Sequence, residues 1–266
     1  MERPQQDLFP PNLKQEAIAI LGTPWLAAIL LKQSPVHATE PQFPKNHQHQ
    51  TGLLHPHERM RLSHFRLAKR QTEFVTGRIC AKLAVESYWK SVGVASQPPL
   101  SMVEIGSDPT GRPIVSAEGD RKPLLPEISI THGGEYAAAI AAELPCGIDL
   151  QQHKDNLWRV REKYCLPKEL QLLEAFLPNM APIPRLSLLW TAKEAAKKAL
   201  SCRQMPGFLE LELIQPLQIL SGCFSLTLAV KVRKNTKMPD TVTALAAIFE
   251  DYGLSLCLLA KEQCYA

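Results

Sequence analysis

Glu194 and Lys198 set a carboxylate and an ammonium four residues apart in the run Trp190-Thr191-Ala192-Lys193-Glu194-Ala195-Ala196-Lys197-Lys198-Ala199-Leu200. Strong helix formers dominate the run, and it follows Leu186, Leu188 and Leu189, so it reads as a helix. At about 100° per residue Trp190, Glu194 and Lys198 fall on one side, with acid and base one turn apart. A Glu followed four residues later by Lys is also the commonest stabilising pair on exposed helices, worth about 0.2–0.5 kcal/mol, and that reading competes with a chemical one. A second carboxylate, Asp149, stands between Ile148 and Leu150 on a short strand. Such an Asp points to solvent or sits in a site, and taken alone solvent is the simpler reading.

Other groups suit an anion. Between Glu58 and Lys90 there are eight Lys or Arg against three Glu, so this stretch is +5 where the whole chain is +4. A solvated helix face competes with anion binding as the explanation. The turn Asp108-Pro109-Thr110-Gly111-Arg112-Pro113 places a cation at the root of a strand, and His132-Gly133-Gly134-Glu135 joins two strands with glycines that let backbone approach a ligand closely. His47, His49, His55 and His57 have a spacing that invites a metal reading. No Cys or carboxylate accompanies the first pair, and Pro35, Pro41 and Pro44 mark this region as a solvated loop, the simpler interpretation.

Composition narrows the class. The chain has 266 residues, 45% hydrophobic and 21% charged, enough apolar material for one large domain or two of about 130 residues. Seven cysteines without a Cys-x-x-Cys spacing predict reduced, core-filling thiols and a cytoplasmic protein. Ala17 to Leu31 is fifteen residues without charge, short for a bilayer span and interrupted by Gly22-Thr23-Pro24. Glu2, Asp7 and Glu16 precede it where an export signal needs a basic start, so it reads as a strand, a tight turn and a second apolar element.

These residues need elements to hold them. Leu62, Phe65, Ala68 and Lys69 show helical spacing, as do Phe74, Ile79, Ala81, Leu83, Ala84 and Tyr88; strands follow at 102–105, 113–115, 127–131 and 136–142. After Asp149 the order repeats, with helices over 158–163, 168–177 and around Glu194, then strands over 210–214, 224–232, 241–249 and 254–259. The two long helices stand about half a chain apart, which predicts a duplicated α+β unit with its seam just before Asp149, and domain seams favour ligand sites. The expected division is 1–146 and 147–266.

Gly147-Ile148-Asp149, followed by Trp190-x-x-Lys193-Glu194-Ala195-x-x-Lys198, resembles the paired signature of the 4'-phosphopantetheinyl transferases, in the larger monomeric surfactin-synthetase-activator class. Phe74-x-x-Gly77-Arg78, Gly111-Arg112-Pro113 and Ser129-Ile130-Thr131-His132 stand in the family's order, and the resemblance covers roughly residues 54–207. It implies an α+β pseudo-dimer of two similar halves, each with helices packed on an antiparallel sheet, and an active site at their interface. The implied reaction moves the phosphopantetheine arm of coenzyme A to a serine of an acyl or peptidyl carrier protein of fatty-acid, polyketide or nonribosomal peptide synthesis, releasing adenosine 3',5'-bisphosphate.

Residue by residue, the resemblance implies that Asp149 and Glu194 hold Mg²⁺, with Mn²⁺ as an alternative ion. Glu194 also activates the carrier serine, directly or through a metal-bound water, and Lys198 stabilises the leaving pyrophosphate. Arg61, Arg78, Arg112, Ser129, Thr131, His132 and Lys198 are the implied coenzyme A contacts, with Lys69 and Arg70 as weaker ones. Where many relatives have Asp-x-Glu, this chain has Asp149-Leu150-Gln151. Gln151 offers an amide oxygen to the metal but no charge, which predicts weaker Mg²⁺ binding. Two other classes compete: a catalytically weak homologue that binds coenzyme A or a carrier protein, and a nucleic-acid-binding protein using the basic stretch. The stretch has few interleaved aromatics, which argues against nucleic acid, and no membrane partner is expected.

Overall fold

The computed structural model describes residues 7–21, 26–33, 52–117, 124–220, 222–232 and 238–265. It combines helices with antiparallel sheets, an α+β fold, in two compact units. The first unit comprises Met1–Phe9 and Trp25–Glu143, and the second Pro10–Pro24 and Leu144–Ala266.

In the first unit β1 (Leu26–Lys32), β5 (Tyr136–Ala142) and β4 (Glu127–Gly133) form a sheet with β5 in the centre. Register pairs Lys32 with Tyr136 and Gly133 with Tyr136. A hairpin of β2 (Val103–Ser107) and β3 (Pro113–Ala117) lies beside β4. The 24-residue helix α3 (Ala68–Ser91) packs on β5 and β1, burying Val75, Ile79, Ala84, Tyr88 and Trp89. The run of alanines in β5, buried on both faces, permits that close approach.

The second unit carries one continuous sheet ordered β6 (Cys146–Gln152), β10 (Tyr252–Leu258), β9 (Thr241–Phe249), β8 (Cys223–Val230), β7 (Leu211–Leu220). Helix α6 (Pro182–Leu200) crosses β6, β10 and β9, preceded by α4 (Asn156–Arg159) and α5 (Pro167–Phe176). Prolines in its first turn cost no hydrogen bond there, because those amides have no partner inside the helix. A short helix α7 (Lys261–Tyr265) ends the described chain.

Both units therefore share an element order: a first strand, a helix pair, a hairpin, and a second hairpin whose last strand pairs with the first. They also share a buried ion pair. Glu58 is the third residue of α2 (Pro56–Ser63) and meets Lys82 of α3 at 2.8 Å; Glu169 is the third residue of α5 and meets Lys193 of α6 at 2.7 Å. In each pair the residues stand 24 apart, and all four side chains are at most 1% exposed. Each carboxylate also accepts two backbone amides, from His55 and Ile105 in one unit and from Leu166 and Leu213 in the other. Satisfied in this way, a charge tolerates removal from water.

Two expectations are corrected. Ala17 to Leu21 are helical, the end of α1 (Pro11–Leu21), which places Leu13 and Ala17 against the second unit's core; the predicted turn at 22–24 lies outside the described residues. The helical spacing from Leu62 through Ala68 is broken: α2 stops at Ser63, Leu67 is extended, and the Gln71 side chain donates to the Phe65 carbonyl across the break. Phe65 is thereby free to fold back on Phe74, with ring centroids 5.2 Å apart. The described cysteines are free thiols, with Cys202 alone among them exposed, and no described helix is long and apolar enough to cross a membrane.

Candidate functional site

Strand β6 and helix α6 bring Asp149 and Lys198 together. Gly147 lies directly under the helix, where a Cβ would overlap the Ala195 carbonyl oxygen and stand 2.8 Å from the Ala199 amide nitrogen. A Cβ at Gly253 on β10 would come within 2.7 Å of Ser187 Oγ, a lesser overlap, so two glycines let α6 sit low on the sheet. Because the atoms met at Gly147 are backbone, no side chain can yield to make room. Gly147→Ala is expected to cost about 3 kcal/mol, the upper part of the usual overpacking range. Thermal denaturation should show a fall of roughly 6–12 °C in midpoint.

The close approach delivers Lys198 to β6. Its Nζ donates to the Ile148 carbonyl and to Asp149 Oδ1, both at 2.8 Å. Asp149 is only 8% exposed, so the solvent-facing reading of this residue is overturned. Nor does Glu194 form the surface pair with Lys198; its Oε1 takes Lys197 Nζ at 2.9 Å, while Lys198 turns to the sheet. Beyond its first three residues the helix is buried except on the side that carries Trp190, Glu194, Lys197 and Lys198. The neighbouring Gln151 is partly exposed on the same face of β6 as Asp149, and its amide donates to the Gln152 carbonyl at 2.9 Å.

Two residues of the motif are scaffold. Trp190 meets Tyr164 edge-to-face and Phe208 at a tilt, with centroid distances of 4.8 and 4.6 Å, and Lys197 sits 3.9 Å over the Phe208 ring. Lys193 is the ammonium buried against Glu169 and the Tyr164 carbonyl. Burial pulls its pKa below the ordinary lysine value and Glu169 pushes back. The chemical candidates Glu194 and Lys198 are thus presented from a turn whose other residues are locked. Asp149, Glu194 and Gln151 would offer two carboxylates and an amide oxygen, the hard-oxygen ligand types that suit Mg²⁺, which typically takes one or two carboxylates plus substrate phosphates and waters.

In the first unit, a cavity of about 300 Å³ is lined by Arg70, Glu73, Phe74, Arg78, Gly111 and His132, among others. Arg78 stacks its guanidinium 4.7 Å from the Phe74 centroid and lies 3.9 Å from Glu58. Burial lowers its pKa to about 10, opposed by Glu58, so it keeps its charge at neutral pH. Its buried Nε has no hydrogen-bond acceptor among the described residues, the Glu58 carboxylate standing 3.9 Å away. Gly111 has φ 88° and turns the β2–β3 loop into the wall of the cavity. Arg61 is exposed, 6.0 Å from the same Phe74 ring, at the rim.

Not every predicted contact lines this cavity. Ile130 and His132 face it from β4, whereas Ser129 and Thr131, at alternate positions, are buried on the opposite face. Arg112 is turned to Glu127 in an ion pair. Glu73 lies in the wall with no forecast from sequence; it is 3.1 Å from Arg70 and 3.5 Å from His132. A carboxylate at helical spacing from Arg70 reads as a surface ion pair, so the sequence held no signal of it. The basic stretch as a whole is not a free cationic face. Lys82 is buried, Lys69 and Arg70 pair with Glu73, and Phe65 and Phe74 pack on each other, unlike a stacking platform for bases.

Residues 145–255, from the start of β6 through most of β10, match the family model of the 4'-phosphopantetheinyl transferase superfamily. Asp149, Glu194 and Lys198 all lie inside the matched segment. No curated protein matches the chain. The match points to phosphopantetheinyl transfer as the class of chemistry.

Proposed function

We propose that this chain is a 4'-phosphopantetheinyl transferase of the larger, monomeric surfactin-synthetase-activator class. It moves the phosphopantetheine arm of coenzyme A to a serine of an apo acyl or peptidyl carrier protein and releases adenosine 3',5'-bisphosphate. The observation that carries this reading is the Lys198–Asp149 contact at 2.8 Å, with Glu194 one turn away, inside the segment matched to the superfamily. The shared element order and repeated buried ion pair of the two units support a duplicated architecture.

In the reaction the carrier serine oxygen attacks the pyrophosphate phosphorus that bears the pantetheine arm. The bond from that phosphorus to the bridging oxygen breaks, and charge builds on the departing adenosine bisphosphate. Lys198, fixed by the Ile148 carbonyl, meets that charge without reorganising. Glu194, partly exposed on the same helix side, receives the serine proton directly or through water. Asp149, Glu194 and Gln151 are the residues that would hold Mg²⁺, which neutralises the pyrophosphate when bound. Arg78, which lines the cavity and keeps its charge, takes a coenzyme A phosphate, with Arg61 and His132 alongside.

The test is the intact mass of fatty-acid, polyketide and peptidyl apo-carriers after incubation with the enzyme, coenzyme A and Mg²⁺. A gain of one phosphopantetheine on any carrier is the expected result. Arg78→Gln should raise KM for coenzyme A about tenfold, the effect of losing one charged hydrogen bond, with little change in kcat. Coenzyme A binding without mass gain on any carrier would replace the transferase reading with a non-catalytic binding protein, the outcome that Gln151 in place of a third carboxylate favours.

A further inference from the structure

We infer that His55, His57 and Glu104 form a binding site for a zinc-class divalent metal in the first unit, distinct from the proposed Mg²⁺ site. The three ligand atoms lie within 4.8 Å of one another, with Glu104 Oε2 3.2 Å from His57 Nδ1 and 3.9 Å from His55 Nδ1. A tetrahedral zinc with bonds of about 2.0–2.1 Å needs its ligands about 3.3 Å apart. The triangle is therefore slightly open, and His57, whose ring is 63% exposed, can rotate to close it. Two imidazoles and a carboxylate suit zinc over Mg²⁺, and three protein ligands leave a fourth position for water.

The site is preorganised by the buried ion pair. Glu58 accepts the His55 amide on one oxygen and the Ile105 amide on the other, while Lys82 donates to the Val103 carbonyl. The strand is thus pinned on both sides of Glu104, and the same carboxylate pins the backbone that bears His55. The His55 side chain is 6% exposed, and its Nδ1 caps α2 by accepting the His57 amide at a long 3.3 Å. A metal would take that lone pair in place of the amide.

The second unit provides an internal comparison. Leu166 and Lys168 flank the first residue of α5 as His55 and His57 flank that of α2, and Glu212 precedes Leu213 as Glu104 precedes Ile105. There the equivalent carboxylate, Glu212, is faced by two ammonium groups, Lys168 and Lys231. In the first unit the position of Lys168 is taken by an imidazole with a second imidazole beside it. The fold calls for a cation at this carboxylate, and in the first unit a metal held by the two imidazoles supplies it, clasping the start of α2 to β2.

The test uses the full chain carrying Asp149→Ala, to remove the oxygen-ligand site, stripped by chelator and dialysed against micromolar Zn²⁺. One retained zinc is expected, with X-ray absorption showing two imidazole nitrogens at about 2.0–2.1 Å. His57→Ala, at an exposed ring, should weaken zinc binding at least tenfold, and Glu104→Gln likewise. Zinc should also raise the thermal midpoint of the parent and not of these variants. Zinc retained equally by the His57→Ala, Glu104→Gln double variant, a shell of oxygen ligands alone, or no retention would overturn the inference. Each readout is independent of transferase activity.

Discussion

Lys198→Ala is expected to lower kcat/KM for carrier modification about 10²–10³-fold, the usual cost of removing one preorganised group from a developing charge. The reason lies in where the ammonium is held. Lys198 is one-quarter exposed, Asp149 about one-tenth, and their contact is reinforced by the Ile148 carbonyl, so neither side chain is free to find water instead. Asp149→Asn removes the charge and keeps the shape. If the two act as a unit, the double variant should be little worse than the poorer single one, a coupling of about 1–3 kcal/mol. Lys198→Arg should not rescue, because a planar fork cannot occupy the point where one Nζ serves both Ile148 and Asp149. Initial rates of carrier labelling at saturating and limiting Mg²⁺ would measure all four proteins. Full activity in Lys198→Ala would remove the residue from the mechanism.

Lys193→Met is expected to destabilise the second unit by about 3–5 kcal/mol, although Lys193 stands next to Glu194 in the motif. Both partners of the Lys193–Glu169 pair are wholly buried, and the variant leaves Glu169 charged in the core with only the Leu166 and Leu213 amides to stabilise it. Chemical denaturation should show the loss in the transition midpoint. Lys82→Met should produce a loss of the same order in the first unit, since Glu58 is held by the same set of contacts. Equal stability of Lys193→Met and the parent would mean that the ammonium is dispensable, and that the lysine belongs with the chemical residues.

Much of this was legible in the chain. The helix around Glu194, the strand of Asp149, the hairpin at 132–135 and the repeated order of helices then strands all follow from local periodicity and turn residues, and the structure has them. Local patterns failed where a distant partner decided. Ala17 to Leu21 look like any apolar run until a sheet face, β9, is available to cover one side of a helix. The spacing from Leu62 to Ala68 looks continuous, yet Phe65 gains more by folding back onto Phe74 than by extending α2.

The site divides along the same line. The resemblance to the transferase signature nominated Asp149, Glu194, Lys198 and Arg78, where residue types and intervals alone left a solvated Asp149 and a surface Glu194–Lys198 pair as the simpler readings. Which of two partners a charge takes is a matter of distance in space. Lys198 bypasses Glu194, one turn away on its own helix, for Asp149, 49 residues off, because Gly147 lets the helix drop onto the sheet. Lys193, in the same motif, is claimed by Glu169 and becomes scaffold. The carboxylate next to His55 and His57 in sequence, Glu58, is turned inward to Lys82 and backbone amides. Glu104, 47 residues beyond His57, reaches the two histidines only after β2 has been fastened to α2 through Glu58, and no interval along the chain encodes that approach.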